Sequence, residues 1–287
     1  MREGSMVIRG RSIGTRTTDP DPVSQERKDP VEPKGARSYV AELVGTFLLV
    51  LFICLVVSLT SRQALGVTDW AVIGLVHAFV LALLVAAMAG VSGAHFNPAV
   101  TLALTATRKF RGADAAVYIL MQLAGATLAA LVAKGLIDEG DSVNFGATLI
   151  NKALIGNWSG FWAEGLGTFL LMATITGTAV IAKNKSDITP WLIGGALGAA
   201  VMCIGPLTGA GLNPARAFGP LLVSGTLWDN FGTFLVVYTL GPIVGALFGA
   251  GLLEWLYAGE LEEVGMTPAR EDDLLIDLDD GGLDAPR

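Results

Sequence analysis

Charged residues are scarce in this sequence of 287 residues, and they are unevenly distributed. Only 16% of the residues are Asp, Glu, Lys or Arg, against 52% hydrophobic residues and a mean hydropathy of +0.58. A soluble domain carries about 25% charged residues. Most of the charges lie in residues 1–37, with eight Lys/Arg and six Asp/Glu, and in residues 259–287, with ten Asp/Glu and two Arg. The net charge of −7 therefore largely describes a tail, and it indicates neither a nucleic-acid partner nor a site for acidic substrates.

The sequence also has only two cysteines and two histidines. Cys54 and Cys203 lie in apolar runs, which argues against a disulfide framework, and no residue spacing fits a metal site. We find no nucleophile–base pair and no phosphate-binding loop, so we predict neither an enzyme nor a cofactor. No small-residue cleavage site clearly follows the first long apolar run, so we expect no signal peptide.

Long apolar runs make up most of the remaining chain. A helix needs about 20 residues to cross a bilayer core of ~30 Å. Two shorter apolar segments, 97–107 and 213–223, would each span only about half of that distance at ~1.5 Å per residue. The six runs of sufficient length cover residues 39–60, 70–91, 113–134, 160–182, 190–207 and 232–257.

The two halves of the chain repeat each other. AELVGTFLLV at residues 41–50 and AEGLGTFLLM at residues 163–172 are identical at seven of ten positions. Each half has three spans and one short segment, and because three is odd, the second half must enter the membrane from the opposite side. Such repeats place a site at their interface near the midplane. We predict an all-α membrane protein with six transmembrane helices and two re-entrant half-helices in an inverted internal repeat.

An Asn-Pro-Ala triplet opens each short segment. The two copies are Asn97, Pro98 and Ala99, and Asn213, Pro214 and Ala215. Asn is a strong N-cap and Pro is favoured at the first helical position, so each triplet predicts a helix start. The Asn oxygen can cap the helix while its NH₂ group donates elsewhere. The inverted repeat would bring two helix starts, each carrying about half a positive charge, to one point.

These motifs identify a resemblance to a known family. SGAHFNPAVT, GLNPARAFGP and the repeated AE(LV/GL)GTF resemble the major intrinsic proteins, which comprise aquaporins and aquaglyceroporins. The resemblance covers about residues 38–257 and implies a pore in each subunit of a homotetramer. Such pores select by diameter, lining hydrogen-bond groups and electrostatic barriers. The predicted organisation is a disordered cytoplasmic tail at 1–37, a channel domain at 38–258 with repeats at about 38–135 and 158–258, and an acidic disordered cytoplasmic tail at 259–287.

Placing Arg216 at its predicted position costs free energy for two reasons. A cation in the first turn opposes the helix dipole, and a charge at membrane depth costs at least ~2.5 kcal/mol. In a pore it would donate hydrogen bonds to a solute and repel cations, by about 4 kcal/mol at 4 Å. The narrowest ring of aquaporins includes this arginine, and the resemblance places His77, Val201 and Ala210 at the other three positions.

The resemblance also narrows the range of expected solutes. Aquaglyceroporins typically have Trp at the position of His77, an aromatic residue at that of Ala210, and Asp where this chain has Ala217. A glycerol facilitator is therefore disfavoured, and the ring resembles that of the plant tonoplast subgroup. We expect conduction of water and of small neutral solutes such as ammonia, hydrogen peroxide and urea, with exclusion of protons and ions.

Other polar residues at membrane depth have expected supporting roles. The resemblance implies that Glu42 and Glu164 accept hydrogen bonds from the loops that hold the half-helices. His95 is expected to position its loop or to lie at the pore mouth, and Gln122 to make an interhelical hydrogen bond. Gly241, Gly245 and Gly249 recur every four residues, which lets helices approach closely in lipid.

The distribution of Lys and Arg predicts an orientation. The first 37 residues and the loops 108–111 and 183–189 are richer in cations than the opposite loops, which hold Arg62, Lys134 and Lys152. We expect both termini in the cytoplasm and the chain in the plasma membrane. Two alternatives stay open: an ion-coupled secondary transporter, which would need titratable groups at the midplane, and a structural member of the same fold with a closed pore.

Overall fold

The structure is a computed structural model, and it describes residues 33–60, 67–137, 144–181 and 186–258. The two predicted tails lie outside the described residues except for residues 33–37. Of these, Ala36 and Arg37 already belong to the first helix, so regular structure begins two residues earlier than predicted. Lys183, Lys185 and Arg62 also lie outside the described residues.

Within the described residues the fold is entirely helical, as the sequence predicted. Six helices are long and apolar enough to cross a membrane. The two others have nine and ten residues and begin at the Asn-Pro-Ala triplets. The helices are α1 (Ala36–Thr60), α2 (Val67–Ser92), α3 (Pro98–Ala106), α4 (Gly112–Leu136), α5 (Asn157–Val180), α6 (Thr189–Thr208), α7 (Pro214–Val223) and α8 (Phe231–Leu256).

The two halves pack in matching ways. Helix α1 packs against α2 and α4, and α5 packs in the same manner against α6 and α8. Helices α2 and α6, one from each half, pack against each other. The half-helix α3 contacts α8 of the second half, whereas α7 contacts α4 of the first half. Each half-helix is thus held partly by the opposite repeat.

Close helix contacts depend on glycine. A Cβ atom added at Gly245 would collide with the carbonyl group of Gly165, so α5 and α8 touch backbone to backbone. Cβ atoms at Gly241 and Gly249 would lie 2.8 Å and 2.7 Å from backbone oxygens of α5. The packing role predicted for these glycines is confirmed.

The outer surface is apolar with tryptophan near the helix ends. Trp158 at the start of α5, Trp191 at the start of α6 and Trp255 at the end of α8 are 67%, 51% and 72% exposed. Tryptophan is enriched at membrane–water interfaces, where its ring meets both lipid and water. These features belong to an integral membrane protein.

Candidate functional site

A narrow cavity passes both Asn-Pro-Ala triplets near the centre of the helix bundle. Its volume is about 30 Å³, which is room for about two water molecules. It continues into a wider vestibule of about 640 Å³, with which it shares wall residues such as Ala94 and His95. Its polar lining comes from five side chains, His77, His95, Asn97, Asn213 and Arg216.

The two asparagines cap the half-helices in the predicted manner. Asn97 Oδ1 accepts from the amide of Ala99 at 2.9 Å, and Asn213 Oδ1 accepts from that of Ala215 at 3.0 Å. Both asparagines have extended backbone, with φ of −153° and −155°. The positive ends of both helix dipoles therefore meet at the cavity.

Each asparagine also binds the opposite repeat. Asn97 Nδ2 donates to the carbonyl of Leu212 at 2.9 Å, and Asn213 Nδ2 donates to that of Phe96 at 2.8 Å. An amide NH₂ group has two hydrogens, so one hydrogen on each asparagine is used in this exchange. The other remains for a group inside the cavity.

The backbone before each asparagine is left-handed at matching positions. Ala94 and Phe96 have φ of 52° and 48°, and Ala210 and Leu212 have φ of 49° and 53°. This conformation costs about 1–2 kcal/mol for each residue with a side chain. The left-handed backbone points successive amide and carbonyl groups in different directions. The amides of these loops therefore need hydrogen-bond acceptors outside the loops.

Glu42 supplies those partners in the first repeat. Its carboxylate is fully buried and accepts from the amides of His95 and Phe96 at 2.9 Å and 2.7 Å. It also accepts from Ser92 Oγ at 2.7 Å and Gln122 Nε2 at 2.8 Å. A buried carboxylate needs such donors to offset its desolvation.

Glu164 does the same in the second repeat. It accepts from the amides of Gly211 and Leu212 and from Thr208 Oγ1 at 2.6 Å. Thr208 corresponds to Ser92, which lies five residues before the asparagine of the first repeat. This pair of hydroxyl residues was not predicted, although matching the two repeats would have shown it.

The hydroxyl of Thr101 joins His95 to the first half-helix. Thr101 Oγ1 lies 3.0 Å from the carbonyl of Asn97 and accepts from Gln122 Nε2 at 3.0 Å. His95 Nδ1 lies 3.1 Å from the same oxygen, so one of its two ring nitrogens is engaged there. His95 lines both the cavity and the vestibule.

His77 and Arg216 present a complementary pair of groups to the cavity. His77 Nδ1 lies 2.8 Å from the carbonyl of Ile73, which can only accept, so Nδ1 carries the proton. Its Nε2 is a buried acceptor without a partner among the described residues. Arg216 Nη1 donates to the carbonyl of Gly146 at 2.9 Å, while its Nε–H has no partner within the part of the chain that the structure describes. The cavity wall thus combines a free imidazole acceptor with a guanidinium that has N–H groups to spare.

The other two residues of the predicted ring lie behind the cavity wall. Val201 and Ala210 are 0% and 1% exposed and pack in the apolar cluster beside the cavity. Leu197, one turn before Val201 on α6, and Gly211, next to Ala210, line the cavity in their place. A count along the chain gives the register of these positions, but not which side chain reaches the wall.

Sequence reasoning missed Gly146, whose backbone carbonyl holds Arg216. A carbonyl has no side-chain signature, and the loop lies 70 residues from the arginine. It also missed the apolar wall, because leucine and isoleucine in a membrane span normally indicate packing alone. The wall includes Leu49, Ile53, Leu81 and Leu171. Among the described residues no group of three or more His, Cys, Asp or Glu is arranged to hold a metal ion.

Comparison with known proteins gives consistent matches. The family model described as MIP, Major intrinsic protein, matches residues 31–253. The chain is 37% identical over 240 residues to aquaporin AqpM of Methanothermobacter thermautotrophicus, covering 76% of this chain and 96% of that protein. It is 35% identical to aquaporin TIP4-4 of Zea mays, covering 83% of this chain and 92% of that protein.

A solved structure shares the fold. The aquaglyceroporin from Plasmodium falciparum superposes with a TM-score of 0.67 at 24% identity, covering 79% of this chain and 98% of that chain. The helices, the paired half-helices and the sequence matches lead to one conclusion: the chain belongs to the major intrinsic protein family, whose members are membrane channels.

Proposed function

We propose that this chain is a passive channel for water and for small neutral solutes, including ammonia, hydrogen peroxide and urea. The observation that carries the proposal is the polar pair at the cavity, the free acceptor of His77 and the free donor of Arg216. Water, ammonia, hydrogen peroxide and urea each have a lone pair for Arg216 and a hydrogen for His77. The otherwise apolar wall holds a solute only weakly, which permits fast passage.

The charges around the cavity favour neutral cargo. Arg216 and the positive ends of α3 and α7 raise the energy of any cation, including a proton carrier. A coupled transporter would need a titratable carboxylate facing the cavity. Glu42 and Glu164 are not in the wall of this cavity, and their oxygens are occupied by loop amides and hydroxyls. This arrangement supports a channel over a transporter.

Of the four residues in the predicted selectivity ring, we infer that His77 and Arg216 contact the solute. Val201 and Ala210 are small and lie behind the wall, so they add no bulk to the ring. Ala217, where aquaglyceroporins typically have Asp, is fully buried in α7 and offers no polar group. We therefore infer a low glycerol permeability relative to that of urea.

Stopped-flow light scattering on proteoliposomes tests this function. Under a sucrose gradient, wild-type vesicles should shrink faster than empty liposomes, and a urea gradient should show solute entry. His77→Phe removes the free acceptor and narrows the ring, so we expect urea permeability to fall about fivefold or more, the loss of about one hydrogen bond.

Each outcome separates the candidate functions. Water flux no faster than that of empty liposomes would reject the channel and favour the closed structural member or the transporter. Water flux with complete reflection of urea, ammonia and hydrogen peroxide would reject the proposed conduction of these three solutes. A glycerol permeability above that of urea would reject the inferred exclusion of glycerol.

We further propose a homotetramer in the plasma membrane with both termini in the cytoplasm. The exposed apolar side chains on the outer helix faces support contacts with lipid and with other subunits. The loop after α3 carries Arg108, Lys109 and Arg111, whereas only Lys134 and Lys152 are described on the opposite side. Cytoplasmic loops are the ones enriched in Lys and Arg.

A further inference from the structure

One distant hydrogen bond directs the arginine of the cavity. Arg216 Nη1 donates to the carbonyl of Gly146 at 2.9 Å, and Nε has no partner among the described residues. Arg216 is 2% exposed, and its guanidinium meets water only through the narrow cavity that it lines. The direction of the guanidinium therefore depends on where Gly146 holds its carbonyl.

Gly146 ends a strained turn. Asn144, Phe145 and Gly146 all have left-handed backbone, with φ of 51°, 51° and 76°, and the amide of Ala147 closes the turn on the carbonyl of Asn144 at 3.0 Å. Asn and Gly tolerate this conformation, but for a bulky residue such as Phe145 it is an outlier. Such strain persists only where surrounding contacts hold it in place.

Two contacts hold the turn. A Cβ atom at Gly146 would lie 3.0 Å from Cys54 Cα and 3.3 Å from the Cys54 carbonyl oxygen, so the turn is pressed against α1. In addition, Phe145 is 3% exposed, and Lys134 Nζ lies 5.1 Å from the centroid of its ring. A cation over an aromatic face attracts it electrostatically.

We propose that Lys134 and Phe145 form a latch that positions Arg216 through Gly146 and thereby sets which solutes pass. The inference rests on the proposed channel function. Neither latch residue is in the wall of the cavity, so both are positioning residues. A loosened latch releases the Gly146 carbonyl, and the guanidinium then loses its fixed direction. Discrimination against larger solutes falls, while water, the smallest, is least affected.

The latch is tested by a permeability ratio in proteoliposomes. Phe145→Leu and Lys134→Met should raise the ratio of glycerol to water permeability about threefold to tenfold, the effect of one lost hydrogen bond. Phe145→Tyr keeps the ring and should keep the ratio. Lys152→Met removes the same charge from an exposed site that has no cation–π contact within the described part of the chain, and it should also keep the ratio.

A flux-independent measurement separates this inference from the proposed function. Cys54 is fully buried against the turn, and in a Cys203→Ser background it is the single thiol of the chain. A small methanethiosulfonate reagent should label it at least about tenfold faster in the latch variants than in the wild type, because local opening exposes it. If wild-type vesicles conduct no water, the proposed function fails, and the labelling rates still decide whether the latch holds the turn.

Three results would overturn the latch. One is an unchanged ratio in both Phe145→Leu and Lys134→Met while wild-type vesicles conduct water. Another is a parallel fall of both permeabilities, which means less folded protein rather than an altered ring. The last is faster labelling with an unchanged ratio. Because Lys134 is exposed, Lys134→Met stays decisive even if Phe145→Leu fails to insert.

Discussion

At the scale of single residues, Glu164 holds the loop that precedes the second half-helix. One buried carboxylate satisfies two backbone amides and one hydroxyl. Glutamine has nearly the same shape, but its NH₂ group would face a donor. Each buried donor left unsatisfied costs about 1–3 kcal/mol. We expect Glu164→Gln to lower the melting temperature in detergent by about 4–10 °C, at roughly 2–4 °C per kcal/mol.

Glu254→Gln is the matched control for this prediction. Its carboxylate lies near the end of α8 and pairs with Lys109 Nζ at 3.9 Å, away from the loops that carry the Asn-Pro-Ala triplets. A partly exposed pair of this kind contributes about 0–1 kcal/mol, so its melting temperature should stay within about 3 °C of the wild type. Equal melting of Glu164→Gln and the wild type would mean that the carboxylate does not hold the loop.

Residues that recur in both repeats could be predicted from the sequence. Glu42 and Glu164 stand in matching motifs, and the two asparagines begin matching half-helices. Gln122 has no counterpart in the second repeat, and its bond to Thr101 depends on how α3 and α4 pack. The contact between Thr101 Oγ1 and His95 Nδ1 depends on the same packing, so it could not be predicted from the sequence.

At the scale of elements, the sequence predicted the starts of the half-helices to within one residue, whereas α1, α2 and α5 begin three residues earlier than predicted. Both half-helices begin at the proline after the asparagine, since the Asn-Pro pair fixes cap and first turn. The first half-helix ends at Ala106, and Arg108 has left-handed backbone with φ of 59°. Helix α5 begins at Asn157, three residues before the predicted start. The prediction followed the apolar run, which does not include the polar residues of the first turn.

The contact between α5 and α8 gives a prediction at this scale. Gly245→Ala would force a Cβ atom into the carbonyl group of Gly165, and neither backbone can move alone. Overpacking of this kind costs about 1–3 kcal/mol. We expect a clear loss of folded, monodisperse protein in size-exclusion chromatography after mild heating.

Gly251→Ala serves as the comparison on the same helix. A Cβ atom there meets nothing within 4 Å. This variant should match the wild type, since alanine is also the better helix former. Equal behaviour of the two alanine variants would show that the close contact between α5 and α8 is not needed for stability.

At the scale of the whole molecule, the proposed orientation can be measured in cells. In a Cys203→Ser background, Lys152→Cys should react with a membrane-impermeant maleimide in intact cells. Lys109→Cys should react only after permeabilisation, because its loop faces the cytoplasm in the proposed orientation. The reverse labelling pattern would show that the topology is opposite to the proposed one. It would also show that the distribution of Lys and Arg does not determine the orientation of this chain.

The general architecture was predictable because hydropathy and an internal repeat determine it. The connections that shape the cavity were not, because they join residues 70 to 117 positions apart. Arg216 could be assigned to the cavity from its cost in a membrane, but its partner Gly146 could not. The sequence therefore predicted which residues lie at the cavity more reliably than it predicted their hydrogen-bond partners.

The exchange of hydrogen bonds between the two asparagines also constrains the order of biosynthesis. Asn97 Nδ2 binds the carbonyl of Leu212, which is 115 residues later in the chain. At about 5–20 residues per second, the ribosome needs about 6–23 s to make that stretch. During this interval the first half-helix lacks its partner, and its amide must be satisfied by water or by the insertion machinery. The first half can therefore enter the membrane early, but it completes its own fold only after the second half has arrived.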